Sequence, residues 1–111
     1  MEIDRLLELF TEDALSWDPV SSPPMLVRDK STTYFRVLSQ IFEKMALTKD
    51  DIFVSGTEAS VRWRGAAVLR SKPMELGFEG VSVFEIHADG RIQSVRSYWD
   101  KAGLMARLAG R

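Results

Sequence analysis

The hydrophobic period of this chain changes after Thr48, from helical spacing to alternation, and it alternates almost to the end. Ile52-Phe53-Val54 opens the alternating half, followed by Ala59, Val61, Trp63, Ala67 and Leu69, then by Phe78 to Ile86, then by Ile92 to Trp99. Four consecutive strand-like runs predict an antiparallel, curved sheet. Asp89-Gly90 is the strongest hairpin signal, because both central residues of such a turn favour positive φ, and it joins the last two strands. Ser71-Lys72-Pro73 reads as the preceding turn, and Gly56 marks either a bulge or a chain reversal.

The first half reads differently. Ile3, Leu6, Leu7 and Phe10 form one apolar stripe at helical spacing, so Ile3 to Phe10 is a short helix that Thr11-Glu12-Asp13 ends. Ala14 to Asp18 is a brief strand, and Pro19 to Pro24, rich in Pro and Ser, is a loop. Thr32, Phe35, Leu38, Phe42 and Met45 recur at three- and four-residue steps, which predicts the longest helix from Asp29 or Ser31 to about Leu47. Beyond Asp100, Leu104, Met105 and Leu108 make a second short amphipathic helix. Helices first and a meander afterwards is an α+β plan, with helices packed on the concave face of a curved antiparallel sheet, a cone whose mouth holds a cavity.

At 111 residues, with no repeat and no Gly/Ser linker, the chain is expected to be a single domain, 1–111. Fifteen basic residues against 16 acidic ones give a net charge of −1 without long blocks of either sign, so neither nucleic acid nor a membrane surface is an expected partner. The lack of Cys removes disulfides and thiolate chemistry, and one His cannot supply a two-His metal centre, so no metal is expected. No apolar run is long enough to span a bilayer and Met1-Glu2-Ile3-Asp4 is not the basic start of a signal peptide, so a soluble, cytoplasmic protein is the default.

Asp18 carries the clearest chemical signal. It lies in Leu15-Ser16-Trp17-Asp18-Pro19-Val20, a carboxylate between a Trp and a Pro, in a stiff and apolar setting. Such a group can abstract a proton. It can equally hydrogen-bond the neighbouring backbone and organise the Pro19 loop.

Three segments carry a resemblance: Ile3 to Ala14, the Trp17-Asp18-Pro19-Val20 run, and Val81 to Ile86 followed by Asp89-Gly90-Arg91-Ile92. Together they resemble the ketosteroid isomerase and SnoaL-like branch of the nuclear-transport-factor-two-like superfamily, over about Ile3 to Asp100. The superfamily includes isomerases, cyclases, epoxide hydrolases, dehydratases and binding modules. The resemblance implies that Asp18 is a general base moving a proton beside a carbonyl. It puts Ser82 where the isomerases carry a protonated Asp, and a hydroxyl is the weaker oxyanion donor. The Tyr of that oxyanion hole belongs to a first helix preceding the segment resembling Ile3 to Phe10, and this helix is expected to be missing. Its place would be taken by Lys101 to Ala109 or by a second chain. Arg28 replaces the family's helix-starting Gly, and Met25-Leu26 look inserted. A homodimer through the outer sheet face is also implied.

Alternation puts Phe78, Ser82 and Phe84 on one face of their strand and Val95, Ser97 and Trp99 on one face of the next. The resemblance makes these the cavity faces. With Trp17, Phe35, Leu38, Phe42 and Trp63 they form either a pocket for a flat, hydrophobic ligand or ordinary core. Either face of its strand suits Trp63, and Arg62 and Arg64 take the face it leaves. Asp100, closing Tyr98-Trp99-Asp100, matches a late-strand acid or base of polyketide cyclases by resemblance, while a cap for the helix after it explains the same residue. His87 is read as a solvated turn residue.

Two functions follow. One is a SnoaL-like module that binds a small hydrophobic molecule in a cone-shaped pocket without chemistry. The other is a cofactor-independent isomerase, cyclase or lyase on a small hydrophobic carbonyl compound, with Asp18 as base and Ser82 holding the enolate.

Overall fold

Six strands build one curved, mixed sheet in the computed structural model, which describes residues 7–28, 39–72 and 74–109. They are β1 (Phe10–Trp17), β2 (Met25–Leu26), β3 (Phe42–Ser55), β4 (Glu58–Leu69), β5 (Glu75–Ile86) and β6 (Ile92–Trp99), followed by the helix α1 (Lys101–Leu108). Their order across the sheet is β2-β1-β6-β5-β4-β3. From β3 to β6 the chain is the antiparallel meander that the alternation predicts. β1 departs from that pattern, since it pairs with β6 in parallel. No hairpin joins those two strands, so no turn dictates their relative direction.

Two helix expectations are corrected. Residues Ile3–Leu6 lie outside the described residues, and Phe10 opens β1 instead of closing a helix; Thr11 is buried inside that strand. The longest helix was expected to reach Leu47. Its residues 29–38, Phe35 and Leu38 among them, lie outside the described residues, 39–41 are helical, and Phe42 onward is strand. Phe42 and Met45 satisfy helical spacing, yet a bulge between Phe42 and Lys44 also aligns them on one face of a strand. The long partner decides: Phe42 pairs with Leu69, Met45 with Ala67 and Leu47 with Gly65.

Both glycine turns reverse the chain. Gly56, at φ +59°, and Thr57 lie between the paired residues Ser55 and Glu58, with positive φ at the first central position only. In the β5–β6 turn only Gly90 has positive φ, +91°, and Asp89 does not. The Gly90 N–H donates to the His87 carbonyl at 2.9 Å and the His87 N–H to the Arg91 carbonyl at 2.7 Å. The expected two-residue turn is therefore a longer one, in which a left-handed glycine follows the tight turn.

Phe42, Ala67, Leu69 and Leu76 of the sheet meet Leu104 of α1 in the core, flanked by Met74, Phe78, Trp99 and Leu108. Leu76 is 1% exposed, and burying a Leu contributes roughly 1.5–3 kcal/mol. The Asp100 carboxylate starts α1 by accepting the Gly103 N–H at 2.9 Å. Among the described residues no helix is long and apolar enough to cross a membrane.

Candidate functional site

Sheet register lines up the polar groups of the concave face. Ser82 of β5 pairs with Ser97 of β6 on one side and with Val61 of β4 on the other. β1 ends with Trp17 beside Arg96, so Asp18 falls next to Ser97, and the Val20 N–H donates to the Ser97 carbonyl at 2.8 Å. Asp18, Ser97 and Ser82 thus follow one another on three neighbouring strands, with roughly 4.8 Å between strands. The next row holds Lys49, Trp63, Gly80 and Trp99.

The two tryptophans of that row reach diagonally to polar groups of the first. Trp63 Nε1–H donates to Ser82 Oγ at 3.0 Å, and Trp99 Nε1–H donates to Asp18 Oδ1 at 2.5 Å. The Ser82 and Ser97 hydroxyls are 2.8 Å apart. A Cβ on Gly80 would lie 2.6 Å from the Trp63 ring, so only glycine lets the indole rest against β5. Phe78 meets Trp63 edge to face, with centroids 5.9 Å apart and planes at 77°.

These groups enclose a cavity of about 500 Å³. Asp18, Ser82 and Ser97 line it with Phe42, Trp63, Phe78, Phe84 and Trp99; the other described residues of its wall are Met45, Leu47, Thr48, Lys49, Val61 and Leu104. Trp63 therefore faces inward. Arg64 lies on the outer face, where it forms a two-pronged ion pair with Asp50 at 2.9–3.1 Å. The Arg64 guanidinium holds the Asp50 carboxyl below the usual carboxylate range.

Other expected site residues lie elsewhere. Trp17 lines a groove of about 720 Å³ with Arg96 and Glu85, because neighbouring strand residues point to opposite faces and Asp18 takes the inner one. Val95 is buried and does not line the cavity. Asp100 caps α1 and is likewise not in the cavity wall. His87 is exposed in its turn, where Nδ1 lies 3.2 Å from the Asp89 backbone N. Among the described residues, no three His, Cys, Asp or Glu side chains gather as metal ligands.

Met45, Leu47, Thr48 and Lys49 enter the cavity wall without having been expected there. The alternation Met45-Leu47-Lys49 was the signal for three of them, masked by the helical reading of the same segment, and nothing in the period marks Thr48.

The SnoaL-like domain family matches residues 1–95. No functionally curated protein matches the sequence. Among solved structures, an NTF2-like protein of unknown function from Burkholderia pseudomallei superposes with a TM-score of 0.80 at 14% identity, covering 95% of this chain and 83% of that one. Another NTF2-like protein of unknown function, from Exiguobacterium sp. 255-15, gives 0.75 at 15% identity, covering 89% and 83%. The epoxide hydrolase/cyclase-like enzyme SalBIII, connected with pyran ring formation in the polyether salinomycin, gives 0.77 at 21% identity, covering 91% and 80%. At such identities the likeness is one of fold. Matched over most of its length, the chain belongs to the SnoaL-like domain family and has the α+β fold of NTF2-like proteins.

Proposed function

We propose that this chain binds a small, flat hydrophobic molecule in the concave cavity, with a ligand oxygen held by the Ser82–Ser97 hydroxyl pair. One observation carries the reading: a single cavity of about 500 Å³ collects the aromatic rings and that pair of hydroxyls. Trp63 occupies an acceptor site on Ser82, and the two hydroxyls share one hydrogen bond. Two hydroxyls carry two hydrogens, so one remains for a ligand acceptor whichever serine donates to the other. The test is 2-naphthol, an apolar phenol of suitable shape, titrated by intrinsic fluorescence. Ser82→Ala/Ser97→Ala is expected to weaken it about tenfold, the worth of one buried hydrogen bond. Equal affinity in both proteins overturns the serine contact, and no saturable binding at all overturns the pocket reading.

A second reading is catalytic, favoured by Asp18 standing one strand from the serine pair with its carboxylate aimed by Trp99. A carbonyl oxygen on the serines then puts a neighbouring C–H within reach of the base, and the enolate that forms sits on the hydroxyl. Deuterium exchange of hydrophobic ketones in D2O, followed by proton NMR, tests this. Loss of exchange in Asp18→Asn with 2-naphthol still bound supports catalysis; no protein-dependent exchange in the native chain leaves the binding module.

A further inference from the structure

We infer that Lys49 is a specificity-determining residue that selects ligands carrying an anionic substituent at the end away from Asp18. The inference rests on the cavity being a ligand site and names the class of ligand it takes.

Among the described residues, Lys49 is the one cationic side chain in the cavity wall. It stands on β3, paired with Trp63 of β4, at the opposite end of the row from Trp99, whose indole holds Asp18. Three strand spacings separate the ends, roughly 14 Å. Between them the floor is the Trp63 indole, which rests on Gly80 and offers a platform for an aromatic ring system.

The acidic residues next to Lys49 in sequence are turned away from it. A register shift between Lys49 and Asp51 makes Asp50 the extra residue, and Asp50 is committed to Arg64 on the outer face. Asp51 pairs with Arg62, also on the outer face. Among the described residues Lys49 forms no ion pair. A cationic side chain in the wall of an apolar cavity, with the Asp50 carboxylate held by Arg64 and Asp51 on the outer face, favours a carboxylate or phenolate there and disfavours a second cation.

The geometry therefore describes a two-ended ligand. One end is a carbonyl or phenol oxygen on Ser82 and Ser97, the middle is a flat ring system over the Trp63 indole, and the far end is an acidic group at Lys49.

A matched pair tests this: 6-hydroxy-2-naphthoate, ionised at neutral pH, and 6-hydroxy-2-naphthamide, its neutral counterpart of the same size. In low salt the native protein is expected to prefer the carboxylate about fivefold, as for a partly exposed ion pair. The ratio of the two affinities is the readout. It should fall to about one in Lys49→Met, invert in Lys49→Glu and survive in Lys49→Arg. Raising salt on the native protein should shrink the same ratio, a measurement that needs no variant. A native ratio of one, or a preference unchanged in Lys49→Met, overturns the role of Lys49 while amide binding still upholds the pocket. Failure of the amide and of 2-naphthol to bind overturns the pocket and this inference together.

Discussion

Trp63 and Trp99 each have a single donor, and each directs it to a polar group of the cavity wall, Ser82 and Asp18 respectively. Trp63 matters through Ser82: while its N–H occupies one lone pair, the serine hydrogen is confined to Ser97 or to the cavity. Trp63→Phe keeps most of the ring and removes the donor. The expected cost is about 0.5–1.5 kcal/mol of stability, the net worth of one hydrogen bond. The variant should also bind 2-naphthol more weakly, because the Ser82 hydroxyl loses its orientation. Chemical denaturation and the fluorescence titration measure the two effects separately. Weaker binding with unchanged stability would point to lost ring contact, and unchanged binding would remove Trp63 as an orienting residue.

Turns and strands show where a sequence is readable. The β5–β6 turn is organised by Asp89, whose carboxylate accepts the Arg91 N–H at 2.9 Å and the Arg91 Nε at 2.8 Å, with His87 Nδ1 at 3.1 Å. The Arg91 backbone N–H, helped by the Arg91 and His87 side chains, outweighs desolvation and holds the Asp89 carboxyl at about 2, down from 3.8. A carboxyl lowered on folding stabilises the native state above its unfolded value, and this contribution fades as pH falls through the folded value. Native protein should therefore melt slightly above Asp89→Asn from pH 7 to about 4, and the gap should close toward pH 2. Melting curves across that range check it; a gap independent of pH would mean that charge has no part. The existence of this hairpin was legible from Asp89-Gly90, and β4 and β6 from strict alternation, because a turn and a period are local properties. Phe42 to Leu47 was not, since its apolar residues satisfy a helix and a bulged strand alike and only pairing with β4 decides. The same physics hid Lys49: counting back by twos from Ile52 reaches Asp50, and the bulge there shifts the inward phase to Lys49 and Leu47. Alternation put Phe78, Ser82 and Phe84 on one face of β5 and Val95, Ser97 and Trp99 on one face of β6, and only the family resemblance made these the cavity faces, whereas Trp17 could not be separated from Asp18 without knowing which face was concave.

Across the whole molecule the concave face is divided between two tasks. Toward the β4–β5 connection, Ala67, Leu69, Leu76 and Leu104 close into core, while farther along the same face the side chains stop short of one another and leave the cavity. Phe42, Phe78, Trp99 and Leu104 belong to both, packing in or on the core and lining the cavity. A ligand that fills the cavity would therefore brace the core directly, with no conformational relay between them. Binding to the native state alone adds RT ln(1 + [L]/Kd), about 2.7 kcal/mol at a concentration one hundred times Kd. For a chain of this size that corresponds to a rise in Tm of about 10 °C. Leu76→Ala, which should cost about 2–5 kcal/mol by opening a void in the core, separates the two tasks. Its side chain does not line the cavity, so the variant should melt well below the native protein, and 2-naphthol at the same multiple of Kd should raise its Tm by a comparable amount. Calorimetry of both proteins with and without ligand measures this. A Leu76→Ala protein that is folded but no longer stabilised by 2-naphthol would show that core and cavity are one packing unit, with the shape of the site dependent on the core beneath it.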